Sequence, residues 1–229
     1  MSAHSSRRDS AIHYSPSELQ ALNGYLKTLE PIEILDWAVD HLPALHLITV
    51  FDLSSCAIAS LFSKLSKRRN SSRPLVKFLF IDTLHQFPQT TQLAQRLTDH
   101  YSLDLQTFYP LGANTVAEFE MLLGPKLWET DSAIYNYITK VEPTRRAFEE
   151  VGFQAVVKEN IWTTDLQGRN QSRLPILEVD DTGVIKINPL NKWTWEETWS
   201  YVKAESVPYN SLLDIGYRQI NDFHSTKIP

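Results

Sequence analysis

Thiol is nearly absent from this sequence. Cys56 is the only cysteine, which excludes an intramolecular disulfide framework and a cysteine-based metal site, and a reducing compartment fits that usage. Basic charge is not in excess either. With 22 lysines and arginines against 27 aspartates and glutamates, the formal net charge is −5. No general attraction to nucleic acid or to an anionic membrane is expected, and any phosphate ligand must be held locally. No apolar run approaches the roughly 20 residues of a membrane helix, and Met1 to Asp9 lacks the apolar centre of a secretory leader, so the cytoplasm is the expected location. Glycine is scarce where a phosphate loop would need it: none of the seven lies in the turn after the first expected strand.

What is present reads as an α/β chain. Residues 1–15 are polar and serine-rich and are expected to form a loose tail, and residues 16–229 a single domain. Ser15-Pro16-Ser17-Glu18 opens a helix, and a second amphipathic segment runs from Pro31 to about Leu42. Leu45 to Phe51 reads as a first core strand, followed by the turn Asp52-Leu53-Ser54-Ser55-Cys56 and a helix from Ala57 to Leu65. That turn is either a phosphate cradle weakened by the Asp52 charge or an ordinary βα turn capped by Ser54 or Ser55. The basic run from Lys64 to Arg73 reads as a solvated loop.

The chain is organised around Phe78 to Thr90. Phe78-Leu79-Phe80-Ile81 is a continuous apolar run, as in a strand buried on both faces, and Asp82 and Thr83 stand at its carboxyl end. A helix starting near Pro88 points its amides to the same place, so the stretch either lines a crevice or forms an Asx turn over the core. Further strands are expected at Leu105–Tyr109 and Phe153–Val157, then a hairpin of 176–179 and 184–187 around Asp180-Asp181-Thr182-Gly183. Residues 110–131 read as helical packing. Pro143 is expected to open a helix with Arg145 and Arg146 in its first turn, where basic charge opposes the helix dipole and suits a neighbouring anion or plain exposure. The polar segment Lys158 to Arg173 is expected to be a lid or a loose loop. Trp193, Trp195, Trp199 and Tyr201 are placed in a helix capped near Thr194. Arg218, His224, Ser225 and Thr226 gather in a mixture that suits an oxyanion or a surface tail. Cys56 is expected to pack rather than react.

Several ordered motifs then resemble the assimilatory phosphoadenylyl-sulfate (PAPS) reductase family. They are Phe80-Ile81-Asp82-Thr83-Leu84-His85-Gln86-Phe87-Pro88-Gln89-Thr90, Leu127-Trp128-Glu129, Lys140-Val141-Glu142-Pro143 with Arg146, Leu174-Pro175-Ile176-Leu177-Glu178-Val179, Lys186-Ile187-Asn188-Pro189-Leu190, and Asp214-Ile215-Gly216-Tyr217-Arg218 through His224-Ser225-Thr226. The resemblance implies an adenine-nucleotide α-hydrolase-like fold, an open and mostly parallel doubly wound sheet flanked by helices. It also implies a homodimer without an iron–sulfur cluster, metal or other cofactor, acting on PAPS with thioredoxin to give sulfite and adenosine 3′,5′-bisphosphate. Carried over by position, the nucleotide-binding residues are Ser54, Ser55, Asp82, Thr83, Arg145, Arg146, Arg218 and His224.

Three departures accompany the resemblance. The family's Glu-Cys-Gly-Leu/Ile-His motif does not occur before Pro229, its Ser-Phe-Gly turn reads Val50-Phe51-Asp52, and its Gly-x-Arg-Arg-x-x-Gln segment reads Lys158-Glu159-Asn160-Ile161-Trp162. Because the reaction needs a thiolate nucleophile, impaired or absent reduction is expected, with thioredoxin a partner only if activity survives. The alternatives are a truncated form of a working reductase, a purely structural role, or a repurposed protein that binds another metabolite or an active reductase.

Overall fold

The computed structural model describes residues 14–161 and 174–227. Tyr14 packs against the core and Ser15 caps the first helix with a reciprocal capping box to Glu18. The rest of the expected tail, and all but the first four residues of the polar segment 158–173, lie outside the described residues.

The chain runs α1 (Pro16–Leu26), α2 (Pro31–His41), β1 (Leu45–Thr49), α3 (Leu53–Arg68), β2 (Lys77–Ile81), α4 (Pro88–Tyr101) and β3 (Asp104–Phe108). A helical excursion follows, α5 (Val116–Leu123), α6 (Leu127–Thr130) and α7 (Ser132–Asn136), and a π-helical turn over Tyr137–Val141 leads into α8 (Glu142–Val151). The remainder is β4 (Ala155–Val157), β5 (Leu177–Val179), β6 (Ile185–Ile187), α9 (Trp195–Ala204) and a 3₁₀ turn at Ser211–Ile215. The sheet order is β3-β2-β1-β4-β6-β5, parallel except for the antiparallel β5–β6 hairpin.

Strand periodicity divides the core. Phe78 and Phe80 of β2 enter a large cluster with Leu47 and residues of α2, α3, α4 and α9, whereas Leu79 and Ile81 turn to the other face against Phe108, Ala147 and Phe153. Both faces are therefore covered, which explains the uninterrupted apolar run of β2. The order of strands reverses at β1, which has β2 on one side and β4 on the other. Beyond the carboxyl ends of β1 and β4 lies the topological switch point, the usual position of a ligand crevice in an open parallel sheet.

Three local expectations require correction. Lys64, Lys67 and Arg68 belong to the last turns of α3 rather than to a loop, and Arg69, its C-cap, bonds Asp36 and pairs with Asp40 at 2.7 Å, tying α3 to α2. Among residues 110–131, Phe119 is fully buried, but Met121 and Leu122 are 80% and 54% exposed, so that segment is only partly core. Arg145 and Arg146 are not at a free helix start, because the helical path continues from the π turn and Val141 before α8 is itself αR. The dipole argument for an anion there loses its basis, since the preceding carbonyls already accept from that turn.

Candidate functional site

The crevice is built by two βα turns and one returning arm. In the first turn, Phe51 carries a left-handed backbone (φ 56°) although buried, and its N–H donates to Thr49 Oγ1 at 2.9 Å. A bulky residue in this region of backbone space is costly and persists only where packing enforces it. Asp52 then caps α3. Its Oδ1 accepts from the Ser55 N–H at 2.8 Å and from Ser55 Oγ at 2.9 Å. Ser54 and Ser55 are buried in that first helical turn, and Cys56 follows with no exposure. Desolvation raises the Asp52 carboxyl above the ordinary carboxylate range despite its bonds to Ser55 and Ser54.

Glu159 reaches the same place from β4. The register pairs Leu47 with Val157, so two residues further on Thr49 of β1 stands beside Glu159. The segment is fixed by the Lys158 N–H donating to Ile187 O at 2.8 Å and Asn160 Nδ2 donating to Asn188 Oδ1 at 2.9 Å. Burial, and then the Asp52 charge, raise the Glu159 carboxyl, against the Thr49 and Ser55 hydroxyls and Lys158. The Cys56 thiol is also pushed up, by burial first and by Asp52 and Glu159 next. It packs, as its residue type and position suggested.

In the second turn, the Asp82 N–H continues the ladder to Phe108 O at 2.9 Å, and its Oδ1 accepts from the Leu84 N–H at 2.8 Å, closing an Asx turn with Leu84 left-handed (φ 67°). Burial raises Asp82 as well. Thr83 is buried beside it, and the His85 Nδ1–H donates to Thr83 O at 3.0 Å, which leaves Nε2 sealed and without a partner among the described residues. The arm 217–227 returns over this turn, with the Phe223 N–H donating to His85 O at 2.8 Å. His224 stacks on Trp128 with ring centroids 3.7 Å apart and planes 10° from parallel, and His85 lies 5.1 Å from it. Desolvation, then the neighbouring His85, lower the His224 imidazole. Asp222, whose side chain has no exposure, pairs with Lys140 at 2.8 Å and accepts from the His224 and Ser225 N–H groups.

The structure thus gathers Ser54, Ser55, Asp82, Thr83 and His224 around the two turns. Arg146 stands at the rim, where it donates to Tyr109 O beyond β3 and pairs with Glu142 at 3.0 Å. Arg145 is exposed and opposite Glu149 at 3.6 Å, and Arg218 lies over the Trp195 ring at 3.8 Å, at the start of α9. Neither reaches the β1 turn. Sequence reasoning gave no role to Lys140, Asp222 or Trp128. The pair Lys140 and Asp222 is separated by more than a third of the chain, and no periodicity links them; the only signal was that all three fall inside the quoted motifs.

Comparison with known proteins gives these features a family. The chain matches the sequence profile of the phosphoadenosine phosphosulfate reductase domain over residues 45–228. It is 41% identical over 216 residues to the phosphoadenosine phosphosulfate reductase of Emericella nidulans, covering 94% of this chain and 69% of that protein. The phosphoadenosine phosphosulfate reductase of Saccharomyces cerevisiae is 39% identical over 216 residues, with 92% and 80% covered. Among solved structures, the phosphate complex of PAPS reductase from Candida auris superposes with a TM-score of 0.84 at 37% identity, covering 95% of this chain and 100% of that one. FMN adenylyltransferase of Candida glabrata, at 15% identity and a TM-score of 0.59 with 92% and 65% covered, shares the fold alone. The expected adenine-nucleotide α-hydrolase-like architecture is therefore the observed one, and the chain belongs to the phosphoadenosine phosphosulfate reductase family.

Proposed function

We propose that this chain is a nucleotide-cleft protein of sulfate assimilation in which thiol-dependent reduction of PAPS is impaired. One observation carries the reading. The only thiol within residues 1–229, Cys56, is fully buried in the first turn of α3, where burial and two carboxyls hold it in the protonated form. A thiolate able to attack the sulfuryl sulfur and then be released by thioredoxin must be accessible and ionised. The sites carried over from the family, Asp82, Thr83, Arg146 and His224 at the β2 turn and its rim, supply the remaining cleft.

The test is sulfite release from PAPS with thioredoxin, run beside the Saccharomyces cerevisiae relative. No sulfite above the enzyme-free background is expected, and turnover comparable with the relative overturns the reading. A second reading, a repurposed binder of another metabolite, is favoured by the acidic character that Asp52 and Glu159 bring to the switch point.

Two further properties belong to the same proposal. The exposed apolar side chains Met121 and Leu122 on α5 with Ile134 and Tyr137 along α7 and the π turn support a homodimer, which light scattering tests. No helix among the described residues is long and apolar enough to cross a membrane. With the single buried thiol this supports a cytoplasmic location, to be tested by imaging a tagged chain.

A further inference from the structure

We propose that Asp52 is a built-in occupant of the crevice: its carboxylate takes the amide and hydroxyl donors that a ligand's phosphate oxygen would otherwise take, and Glu159 beside it keeps that position closed to phosphate. The inference deepens the nucleotide-cleft reading above and rests on it.

The starting point is donor supply. The first turn of a 16-residue helix presents unpaired N–H groups and the positive end of its dipole, an arrangement suited to an oxyanion. In α3 the N3 amide and its hydroxyl are already used from within the chain. Ser55 N–H and Ser55 Oγ both go to Asp52 Oδ1, at 2.8 and 2.9 Å, while the Cys56 N–H makes the first intrahelical bond to Asp52 O at 3.2 Å. A phosphate oxygen arriving here would have to displace a carboxylate held at intramolecular effective concentration.

The second, independent observation is Glu159. Its Oε1 is sealed from solvent and has no hydrogen-bond partner among the described residues, although it belongs to a carboxyl at the switch point, on a different strand from Asp52. An unpartnered buried carboxyl oxygen asks for a hydrogen-bond donor or a proton, and it repels an anion. The charged and titratable groups around the pair are Lys158 on the same segment as Glu159, the neutral Cys56 on α3, and Arg96 of α4, whose guanidinium is committed to Tyr209 O at 2.9 Å. Neither Lys158 nor Arg96 forms an ion pair with either carboxyl among the described residues. Burial, with no such ion pair among the described residues, raises both carboxyls, so a proton on the pair is held more tightly than on an ordinary carboxylate. The closure should tighten as that proton leaves.

The experiment measures affinity for two probes, adenosine 3′,5′-bisphosphate and inorganic sulfate, which keeps its two charges throughout, at about pH 5.5 and about pH 8. The unmodified chain is compared with Glu159→Gln and with the double variant Asp52→Gly, Glu159→Gln. Freeing two donors to a charged acceptor is expected to raise sulfate affinity of the double variant roughly ten- to hundredfold. In the unmodified chain, sulfate affinity falls from the lower to the higher pH, and in Glu159→Gln that fall is reduced.

A gain for both probes supports the inference and the nucleotide reading together. A gain for sulfate but not for the nucleotide supports the inference and removes the nucleotide reading. No gain for either probe overturns the inference. So does an unmodified chain that binds the nucleotide as tightly as the double variant, which leaves the nucleotide reading standing. Where the double variant has lost its cooperative thermal transition, Glu159→Gln decides alone: sulfate affinity equal to that of the unmodified chain at both pH values overturns the inference.

Discussion

The two turns that face the crevice begin alike and end differently. Each follows a buried parallel strand with an aspartate near its carboxyl end, Asp52 after β1 and Asp82 after β2, and each forces a bulky residue into the left-handed region, Phe51 at φ 56° and Leu84 at φ 67°. After β1 the aspartate caps the helix and takes the Ser55 N–H and hydroxyl. After β2 the aspartate folds back on the Leu84 N–H, and α4 begins at Phe87 without a side-chain cap, covered instead by the arm that carries Asp222 and His224. The same residue type at the same architectural position therefore closes one helix start from within and leaves the other to a distant segment. The offset from the helix decides which: Asp52 is the N-cap of α3 itself, whereas Asp82 lies five residues before Phe87, the N-cap of α4.

That contrast can be broken at several points, beginning with the largest effect. Phe51→Ala removes a fully buried ring in edge contact with Phe80 while keeping the strained backbone, and a loss of about 3–5 kcal/mol is expected by urea denaturation. A loss under about 1 kcal/mol would mean that the β1 turn is held by something other than its core contact. In the second turn, Asp222→Ala leaves Lys140 with only the Ser225 hydroxyl, at 2.8 Å, and two arm amides without an acceptor. Because Lys140 is partly exposed, about 2–3 kcal/mol is expected rather than the full cost of a sealed pair. Hydrogen exchange of the His224 and Ser225 amides should accelerate, while the Ser55 amide, on the other turn, should not.

A smaller effect separates the turns by pH. Asp52 and Glu159 are raised in the folded state, so the native chain binds more protons than the unfolded one between the ordinary carboxylate values and the raised ones. Stability therefore falls as pH rises through that window, and Glu159→Gln should flatten the slope in a series of denaturation curves. An unchanged slope would place the retained proton elsewhere, Asp82 being the next group with a raised carboxyl. Asp180 works in the opposite direction: Thr182, Lys186 and the Val184 amide hold it at about 2, so its contribution is present above the ordinary range and is lost as pH falls toward that value. The smallest expected effect is Leu84→Gly. Relief of the left-handed strain and loss of a partly buried side chain nearly offset, leaving a change within about 1 kcal/mol in thermal denaturation.

Much of this was legible without coordinates. The apolar runs of β1 and β2, the Pro16, Pro31 and Pro88 helix starts, the Asp180 to Gly183 turn and the Thr194 cap are local decisions, set by side-chain period and by backbone preferences within a few residues. Their limits in the structure differ from the expected ones by a residue or two, except α3, which begins four residues earlier, at Leu53, with Asp52 rather than Ser54 or Ser55 as its cap, and runs three residues further at its C-terminal end to Arg68. That extension depends on Asp36 and Asp40 of α2, which hold Arg69 from a separate element. The continuous helical path into Arg145 and Arg146 was likewise hidden, since a proline normally marks a helix start and here follows a π turn that absorbs it.

By itself the sequence determined the α/β alternation, the parallel sheet with both faces covered, and the presence of an acid, Asp52, in a turn that lacks glycine. It also carried the ordered motifs of the family. Only the tertiary structure decided that Glu159, over a hundred residues away, meets Asp52 at the switch point, and that Lys140 holds Asp222 beneath the returning arm. Local period and capping act over one or two turns of chain, whereas the ionisation and accessibility of a side chain are set by whatever the sheet topology brings beside it.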